Sequence, residues 1–316
     1  MQSNKVRICL CGTGRLGSFR ASLFIESPDI ELVGVVEPFR VCQSVLDRPN
    51  IKIFKTVEEI NIPIDGIWIS TPTKFHLQTI KLASKKVKHI YCEKPIASTP
   101  EEVKEAYETC RKNGVSLHCG WMRRRDPGYQ SIKEYLVSNN VSIQRAEFHS
   151  FDWPLVPPEF LKTLGNIFTD LMCHDFNLIM YYMNNTLPKY VTAVGIDGGA
   201  GVWDSATASL EYPNNVVLTI IATRNGNKVY DNSLTVLTSD SHILECGKEP
   251  ENLTETFMKR HEKNFKKELP FFANIIRNNG TSGDVLSCVN TSILIQAATR
   301  SATLGGKRIP LVIPKL

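Results

Sequence analysis

The first part of the chain alternates short runs of β-branched and apolar residues with stretches of helical periodicity, such as 73–86 and 99–113. This alternation is typical of a parallel sheet with helices on both faces, because each parallel strand needs a crossover connection to reach the next. The pattern therefore predicts a doubly wound α/β sheet. The expected strands are KVRICLCG, ELVGVVE, IKIF, DGIWIST, VKHIYCE and VSLHCGW.

After Trp121 the pattern changes to consecutive strands separated by turn signals such as DGG, YPNN and RNGN. Strands that follow one another in this way form antiparallel sheets. We therefore expect a first domain at 1–121 and a second, α+β domain at 122–316 with a large, mainly antiparallel open sheet. Its expected elements are a helix at 127–139, strands at 142–151, 189–197, 203–211, 214–224 and 229–238, and closing helices at 257–278 and 283–304.

The composition excludes several classes of partner. The chain has 316 residues, 42% of them hydrophobic, which suffices for the cores of two domains. Its net charge of +5 is modest and its basic residues are dispersed, so no nucleic-acid partner is expected. Nine cysteines without a C-x-x-C pair or zinc-like spacing indicate reduced thiols in a cytoplasmic protein and no metal site. No apolar stretch reaches the length of a membrane span, and no signal peptide is expected.

A glycine-rich loop, CLCGTGRLG, follows the first predicted strand and opens a helix. Gly12, Gly14 and Gly17 have the spacing that makes a tight turn, lets a pyrophosphate approach the backbone and packs the helix closely. Glu37 ends the second strand 20 residues after Gly17, where a carboxylate can accept hydrogen bonds from both ribose hydroxyls. The loop, the acid and the six strands together predict a dinucleotide-binding Rossmann domain.

Glu37 also bears on the choice of cofactor, because its negative charge would repel the 2′-phosphate of NADP. Arg40 follows closely enough to reach a phosphate if Glu37 turns away. The sequence therefore favours NAD and leaves NADP possible.

Two segments carry candidate catalytic residues. Lys94 follows the fifth predicted strand, at the edge where the carboxyl ends of parallel strands line a ligand crevice. The segment TDLMCHDFNLIMYYM is predicted to be one apolar helix in which Asp170, His174 and Asn177 form a narrow polar stripe. A histidine titrates near neutrality, so His174 can exchange a proton with a hydroxyl while Asp170 orients it. Asp175 is expected on another face, in a structural role such as pairing with an arginine.

Five motifs occur in the order and spacing of one oxidoreductase family: GTGRLG, STPTKFH, CEKP, GWMRRRDPGY and DLMCHD. Over essentially the whole chain, the sequence resembles the Gfo/Idh/MocA family, most closely its myo-inositol 2-dehydrogenase branch. The resemblance implies that Lys94, Asp170 and His174 form the catalytic triad of an NAD(P)-dependent dehydrogenase. It also implies that hydride moves between nicotinamide and a secondary alcohol of a cyclic polyol or sugar.

The glycine motif and the resemblance together assign binding roles. The residues expected at the cofactor are Gly12, Thr13, Gly14, Arg15, Leu16, Gly17, Glu37, Arg40, Thr71, Pro72, His76, Glu93 and Lys94. The residues expected at the substrate are Lys94, Arg123, Asp152, Asp170, His174 and Tyr230.

Two other functions stay open from the sequence. One is a non-catalytic regulator that senses dinucleotides, although the presence of all three catalytic candidates counts against it. The other is a dehydrogenase or reductase of the dihydrodiol or tetrapyrrole type. An antiparallel sheet with one uncovered face would also expose a large apolar surface, so a homodimer or homotetramer is expected.

Overall fold

The chain divides into two compact units, which we describe separately. In the computed structural model the described residues are 5–153, 157–199, 201–224, 230–247 and 257–311. One unit comprises Met1–Trp121 with Lys263–Val289, and the other comprises Met122–Glu262 with Asn290–Leu316. The sequence pattern assigns both closing helices to the second domain, whereas the segment from Lys263 to Val289 belongs to the first unit.

The first unit is built on six strands, β1 (Val6–Cys11), β2 (Ile30–Val36), β3 (Lys52–Phe54), β4 (Gly66–Ile69), β5 (His89–Glu93) and β6 (Ser116–Gly120). All of them pair in parallel, in the order β3-β2-β1-β4-β5-β6, so the predicted Rossmann sheet is confirmed. Every residue of β4 and β5 is buried, as expected for central strands with helices on both faces. The strand order reverses between β1 and β4, which is where ligands bind in sheets of this kind.

The helices that connect these strands are α1 (Arg15–Glu26), α2 (Gln43–Leu46), α3 (His76–Ala83) and α4 (Pro100–Lys112). The start of α4 is encoded locally, since Thr99 and Glu102 form a reciprocal capping box around Pro100. By contrast, α1 begins after Gly14, which has no side chain to cap the helix. The N–H groups of its first turn therefore stay available to an anion.

The second unit is built on seven strands, β7 (Ile143–Phe151), β8 (Tyr190–Ile196), β9 (Ser205–Glu211), β10 (Val217–Thr223), β11 (Leu234–Thr238), β12 (Ile243–Cys246) and β13 (Ile309–Pro310). Their order is β12-β11-β7-β10-β9-β8-β13, and β7 pairs in parallel with β10 while the other pairs are antiparallel. The predicted mainly antiparallel sheet is thus confirmed. The sequence does not predict β12 and β13, because strands of four and two residues are too short to show an alternating pattern. Residue 229, the first of a predicted strand, lies outside the described residues.

The remaining helices are α5 (Pro127–Ser138), α6 (Pro158–Leu164), α7 (Ile167–Asp170), α8 (Cys173–Tyr182), α9 (Phe257–Arg260), α10 (Glu262–Arg277) and α11 (Val285–Thr303). The predicted helix at 257–278 is divided at His261 into α9 and α10. Within the described ranges, each helix is too short or too polar to cross a membrane.

The segment expected to form one helix with a continuous polar stripe is in fact two helices, and that expectation is wrong. α7 ends at Asp170, and α8 begins at Cys173. The Cys173 thiol donates to the Asp170 carbonyl at 3.1 Å, and the His174 N–H group donates to the Leu171 carbonyl at 3.2 Å. These local contacts take the place of a regular helical turn. Asp170 and His174 therefore extend from separate helices.

Candidate active site

The loop after β1 has room only for glycine at two of the three positions of its glycine motif. Gly12 has φ +91°, and a Cβ added there would lie 2.9 Å from the Ser70 carbonyl oxygen. A Cβ on Gly17 would lie 2.1 Å from the Gly12 carbonyl oxygen, which no side chain can accommodate. At Gly14, in contrast, an added Cβ meets nothing within 4 Å. The open space at Gly14 lies at the start of α1, where a pyrophosphate would be bound.

Glu37 joins the end of β2 to this loop. One of its carboxylate oxygens accepts hydrogen bonds from the Thr13 N–H group at 2.8 Å and from the Thr13 hydroxyl at 3.2 Å. The other accepts from the Phe39 N–H group at 3.0 Å, and the side chain is only 8% exposed. The Thr13 hydroxyl also lies 3.1 Å from the Arg40 carbonyl oxygen. Glu37 is therefore held in one orientation beside the glycine loop.

Among the other predicted cofactor residues on this loop, Arg15 is exposed and Leu16 is half-buried. Arg40 and Pro72 are also exposed, in the segments that follow β2 and β4. These side chains are accessible to a ligand, as a cofactor contact requires.

His76 connects two further loops at the same sheet edge. Its ring nitrogens lie 2.7 Å from the Thr71 carbonyl oxygen and 2.8 Å from the Pro95 carbonyl oxygen. Burial lowers the pKa of His76, although the two carbonyl groups act in the opposite direction. At neutral pH the uncharged ring donates one of these hydrogen bonds. His76 thereby ties the loop after β4 to the loop after β5.

Two hydroxyl groups in the loop after β4 are buried without a hydrogen-bond partner in the part of the chain that is described, Ser70 Oγ and Thr71 Oγ1. Buried polar groups nearly always have a hydrogen-bond partner. Two buried hydroxyl groups without one at the same sheet edge therefore indicate a position where a ligand binds. The open space at Gly14 and these two hydroxyls fit a dinucleotide at the switch point of the sheet.

Lys94 and Glu93 stand in succession at the end of β5, but their side chains differ in environment. Lys94 is half-buried, and its peptide bond to Pro95 is cis. Glu93 is 5% exposed and accepts a hydrogen bond from Arg20 Nε at 2.7 Å inside the first unit. The Glu93 carboxylate therefore lies in the interior of the first unit, whereas Lys94 is partly exposed.

In the second unit, Asp170 forms an ion pair with an arginine that lies outside the sequence motifs. Arg224 follows β10, and its Nη2 lies 3.3 Å from Asp170 Oδ2. Its Nη1 donates to the Gly165 carbonyl at 2.9 Å, and its own N–H group donates to the Asp204 carbonyl at 2.7 Å. Arg224 is 2% exposed and Asp170 is half-buried. A buried guanidinium therefore forms an ion pair with the half-buried carboxylate of Asp170.

His174 lies in the first turn of α8 and is 8% exposed. The next residue, Asp175, forms a buried ion pair with Arg123 at 2.8 Å, so its expected pairing with an arginine is confirmed. Ser150 donates to the same Asp175 oxygen at 2.9 Å. Burial raises the pKa of Asp175, while Arg123 acts to lower it. This cluster anchors the helix that carries His174.

The remaining substrate candidates are Asp152 and Tyr230. Asp152 is half-buried at the end of β7, where its N–H group donates to the Thr223 carbonyl at 2.8 Å. Tyr230 is 3% exposed, and its hydroxyl donates to Asn232 Oδ1 at 2.6 Å. A ring nitrogen of His261 lies 3.0 Å from the same hydroxyl. Burial lowers the pKa of His261 well below its ordinary value, and nearby arginines add to the effect.

Three further residues, Arg224, Asn232 and His261, belong to this region although they were not predicted. Each of them lies outside the sequence motifs, and each is buried beside a candidate residue. Arg224 is the last residue of the predicted strand 214–224 and the first residue of the RNGN turn signal. Its charge at the end of a strand is the one sequence feature that could have pointed to a functional role.

Comparison with known proteins assigns each unit separately. A model of an oxidoreductase family with an NAD-binding Rossmann fold matches residues 6–121, and a model of the GFO/IDH/MocA C-terminal domain matches residues 142–243. The uncharacterized oxidoreductase YrbE of Bacillus subtilis (strain 168) is 26% identical over 298 residues, covering 85% of this chain and 86% of YrbE. The scyllo-inositol 2-dehydrogenase (NAD(+)) of the same strain is 27% identical over 332 residues, covering 94% of each chain.

Solved structures extend the comparison to the fold. The myo-inositol dehydrogenase of Corynebacterium glutamicum ATCC 13032 superimposes on this chain with a TM-score of 0.83 at 25% identity. The match covers 98% of this chain and 99% of that one. Both units of the chain thus have counterparts in one known protein.

Proposed function

The chain belongs to the Gfo/Idh/MocA family of oxidoreductases, and we propose that it is an NAD-dependent dehydrogenase that oxidises a secondary alcohol of a cyclic polyol such as inositol. The observation that carries this proposal is the presence of Lys94, Asp170 and His174 together in one member of an NAD-binding family. A relative that is similar over 94% of the chain is a scyllo-inositol 2-dehydrogenase, which supports a polyol as substrate.

The cofactor-binding residues are all in the first unit. The N–H groups at the start of α1 and the open space at Gly14 would hold the pyrophosphate, and Glu37 would accept hydrogen bonds from the ribose. Ser70 and Thr71 supply two buried hydroxyl groups at the same sheet edge. Bound NAD supplies the hydride acceptor. The negative charge of Glu37 favours NAD, with NADP as the second choice.

The proton is handled by residues of the second unit. We assign to His174 the removal of the hydroxyl proton, since an imidazole is the side chain best suited to proton exchange near neutral pH. Asp170 orients that imidazole and stabilises its charged form. Arg224 in turn holds the Asp170 carboxylate in place, because its buried guanidinium forms an ion pair with Asp170 Oδ2.

Lys94 stabilises the oxygen from which the proton departs. As the carbon loses hydride, negative charge develops on this oxygen, and a positioned ammonium group lowers the energy of that state. We assign this role to Lys94. Arg123, Asp152 and Tyr230 are proposed to contribute to binding of the polyol, whose hydroxyl groups need several polar partners.

We propose further that the protein works in the cytoplasm as a homodimer or homotetramer. Its sheet in the second unit alternates buried and half-buried residues, so one face is incompletely covered. Val194, Ile196 and Ile243 are exposed there or at its edge. A second copy of the chain is the proposed cover for this apolar face.

One screen tests the catalytic function. The purified protein is mixed with NAD or NADP and with each member of a panel of inositol isomers, aldoses and dihydrodiols. The formation of NADH or NADPH is followed by the absorbance of the reduced nicotinamide. We expect turnover with at least one inositol and NAD. Turnover confined to dihydrodiols, or tight NAD binding with no turnover on any compound, would instead support the reductase or the regulator and overturn the proposal.

A further inference from the structure

A buried charged cluster lies beneath the end of β5, entirely within the first unit. Arg20 of α1 contacts Glu93 through its Nε at 2.7 Å, and it contacts Glu268 of α10 through its Nη2 at 2.5 Å. Arg20 and Glu268 are fully buried, and Glu93 is 5% exposed. One cation thus holds two carboxylates that are 175 residues apart in the sequence.

Two neutral donors complete the cluster. The Trp68 indole N–H group donates to the same Glu93 oxygen at 3.1 Å, and the Tyr91 hydroxyl donates to Glu268 at 2.5 Å. The two rings are stacked with centroids 3.8 Å apart. The Arg20 guanidinium lies 4.7 Å from the Trp68 ring centroid, in the range of a cation–π contact. Each charged group therefore has partners on more than one side.

Stability alone does not explain this cluster. Burying ions is costly, and well-packed apolar side chains of similar volume are often as stabilising as a buried ion network. What a network of directional hydrogen bonds adds is a single geometry. The group held here is Glu93, the last residue of β5 and the immediate neighbour of Lys94.

Glu93 also has little room to move. A Cβ added to Gly120, at the end of β6, would lie 2.9 Å from Glu93 Oε2. Because Gly120 has no side chain, the Glu93 carboxylate fits beside it with no space to spare. With its carboxylate bound by Arg20 on one side and closed in by Gly120 on the other, Glu93 fixes the backbone from which Lys94 extends.

We propose that Arg20 and Glu268 are positioning residues, which act through Glu93 to set the orientation of Lys94. Under this inference Glu93 supports Lys94 rather than contacting the cofactor. α10 also acquires a role, because it brings Glu268 to the nucleotide-binding unit from the far end of the chain. The inference rests on the proposed catalytic role of Lys94.

The first test measures Lys94 directly and needs no substrate. Lysines are labelled with acetic anhydride over a pH series, and the rate at Lys94 is read by peptide mass spectrometry relative to the exposed Lys104. The variants are Arg20→Lys, which keeps the charge but loses the fork that bridges two carboxylates, and Glu268→Gln, which keeps the shape and the Arg20–Glu93 pair. We expect the Lys94 labelling rate to change at least threefold in Arg20→Lys, and in the same direction by less in Glu268→Gln.

The matched control is Arg277→Gln. Arg277 also lies on α10 and forms an ion pair with Asp29 at 3.1 Å, so it reports on general docking of that helix. We expect wild-type labelling of Lys94 in this variant. Unchanged labelling in folded Arg20→Lys and Glu268→Gln, or an equal change in Arg277→Gln, would overturn the inference. If Arg20→Lys does not fold, Glu268→Gln decides.

The second test separates positioning from binding. Misplacing a catalytic group by about 1 Å can cost roughly 100-fold in rate, so we expect kcat of Arg20→Lys to fall tenfold or more. The Kd for NADH, measured by protein fluorescence, should stay within threefold of wild type. A loss of NADH affinity with kcat retained would show that the cluster serves the cofactor and would reject the inference. A wild-type protein without dehydrogenase activity whose Lys94 labelling still responds to the variants would refute the proposed function alone.

Discussion

Asp170 and Arg224 form an ion pair in which Oδ2 of the carboxylate lies 3.3 Å from Nη2 of the guanidinium. The two residues come from the end of α7 and from the position after β10, and Arg224 is also anchored by the Gly165 carbonyl at 2.9 Å. The Asp170 carboxylate is thus oriented by a residue that lies outside α7. This pair determines where Asp170 stands beside the first turn of α8, which carries His174.

We expect His174→Ala to lower kcat by roughly 10²- to 10⁴-fold, the range for loss of positioned acid–base catalysis. The Kd for NAD should change little, because the residues proposed to bind the cofactor are in the first unit. Lys94→Ala should also reduce kcat strongly. The loss of kcat in the double variant should be smaller than the product of the two single effects, since the two residues are proposed to act on the same oxygen and their effects would not be independent. Steady-state kinetics per folded molecule provide the measurement.

His149→Ala is the control for that prediction. His149 lies on β7 and pairs with Glu147 at 2.6 Å, outside the proposed catalytic set. It should keep wild-type turnover. If folded His174→Ala retained near-wild-type kcat while losing thermal stability, His174 would be a structural residue and the catalytic assignment would be wrong.

Cofactor preference should depend on Glu37. NAD should bind more tightly than NADP, and Glu37→Ala should narrow the difference by on the order of 1 to 3 kcal/mol, the range for losing a charged hydrogen bond. Titration calorimetry with NAD and with NADP measures the difference in binding free energy between the two cofactors. Glu59→Ala serves as the control, because Glu59 accepts a hydrogen bond from the exposed Lys55 N–H group in the same unit. Equal affinity of the wild type for the two cofactors would refute the prediction.

Arg123→Gln should destabilise the fold by about 3 to 5 kcal/mol, because it leaves the buried Asp175 carboxylate without its cation. The comparison variant is Arg308→Gln, whose ion pair with Glu211 is solvent-exposed and should therefore contribute much less to the stability of the fold. Urea denaturation followed by circular dichroism gives both values. Similar losses of unfolding free energy in the two variants would show that burial does not make the Arg123–Asp175 pair more important for stability than an exposed pair.

The stability of the fold should fall on acidification below pH 6.5. Burial holds the pKa of His261 well below its ordinary value of 6.5, so the unfolded chain takes up a proton that the folded ring does not. The unfolded state therefore gains as the pH falls through 6.5, by at most about 1.4 kcal/mol per pH unit for one such group. The contribution of His261 is fully present above that value.

The pH prediction is measured as the difference in Tm between pH 7.5 and pH 5.5. His76 has its pKa lowered in the same direction, so part of the acid sensitivity should persist in His261→Gln. The variant should nevertheless show a smaller difference than the wild type. An identical difference in both proteins would exclude His261 as a source of the pH dependence.

Self-association through the second unit should depend on its exposed apolar residues. Ile196 on β8 is 61% exposed, and Ile196→Glu should shift sedimentation velocity toward the monomer mass at micromolar concentration. Leu46→Glu is the control, since Leu46 is 52% exposed on α2 of the first unit. A wild-type protein that sediments as a monomer would disprove the proposed assembly.

The parallel and mainly antiparallel sheets follow from the sequence because their signals are local. Runs of β-branched residues mark β1 and β2, and the turn signals after residue 196 separate consecutive strands, wherever those strands finally pack. The requirement for glycine at position 17 is likewise local, since a Cβ on Gly17 would clash with the carbonyl oxygen of Gly12, five residues earlier. The sequence thus determined the fold class, the cofactor loop and the identity of Lys94, Asp170 and His174 as candidates.

The partners of those residues were decided by tertiary structure. Arg224 reaches Asp170 across 54 positions, and Arg20 reaches Glu268 across 248. No periodicity or spacing marks such pairs, because the contact depends on which strand end or helix face packs nearby. The hydrophobic pattern also does not show the break between α7 and α8, because its periodicity continues across the break while the local hydrogen bonds at Cys173 and His174 change. A sequence carries its local conformational preferences at each residue, whereas the neighbours of a buried charge exist only once the chain has folded.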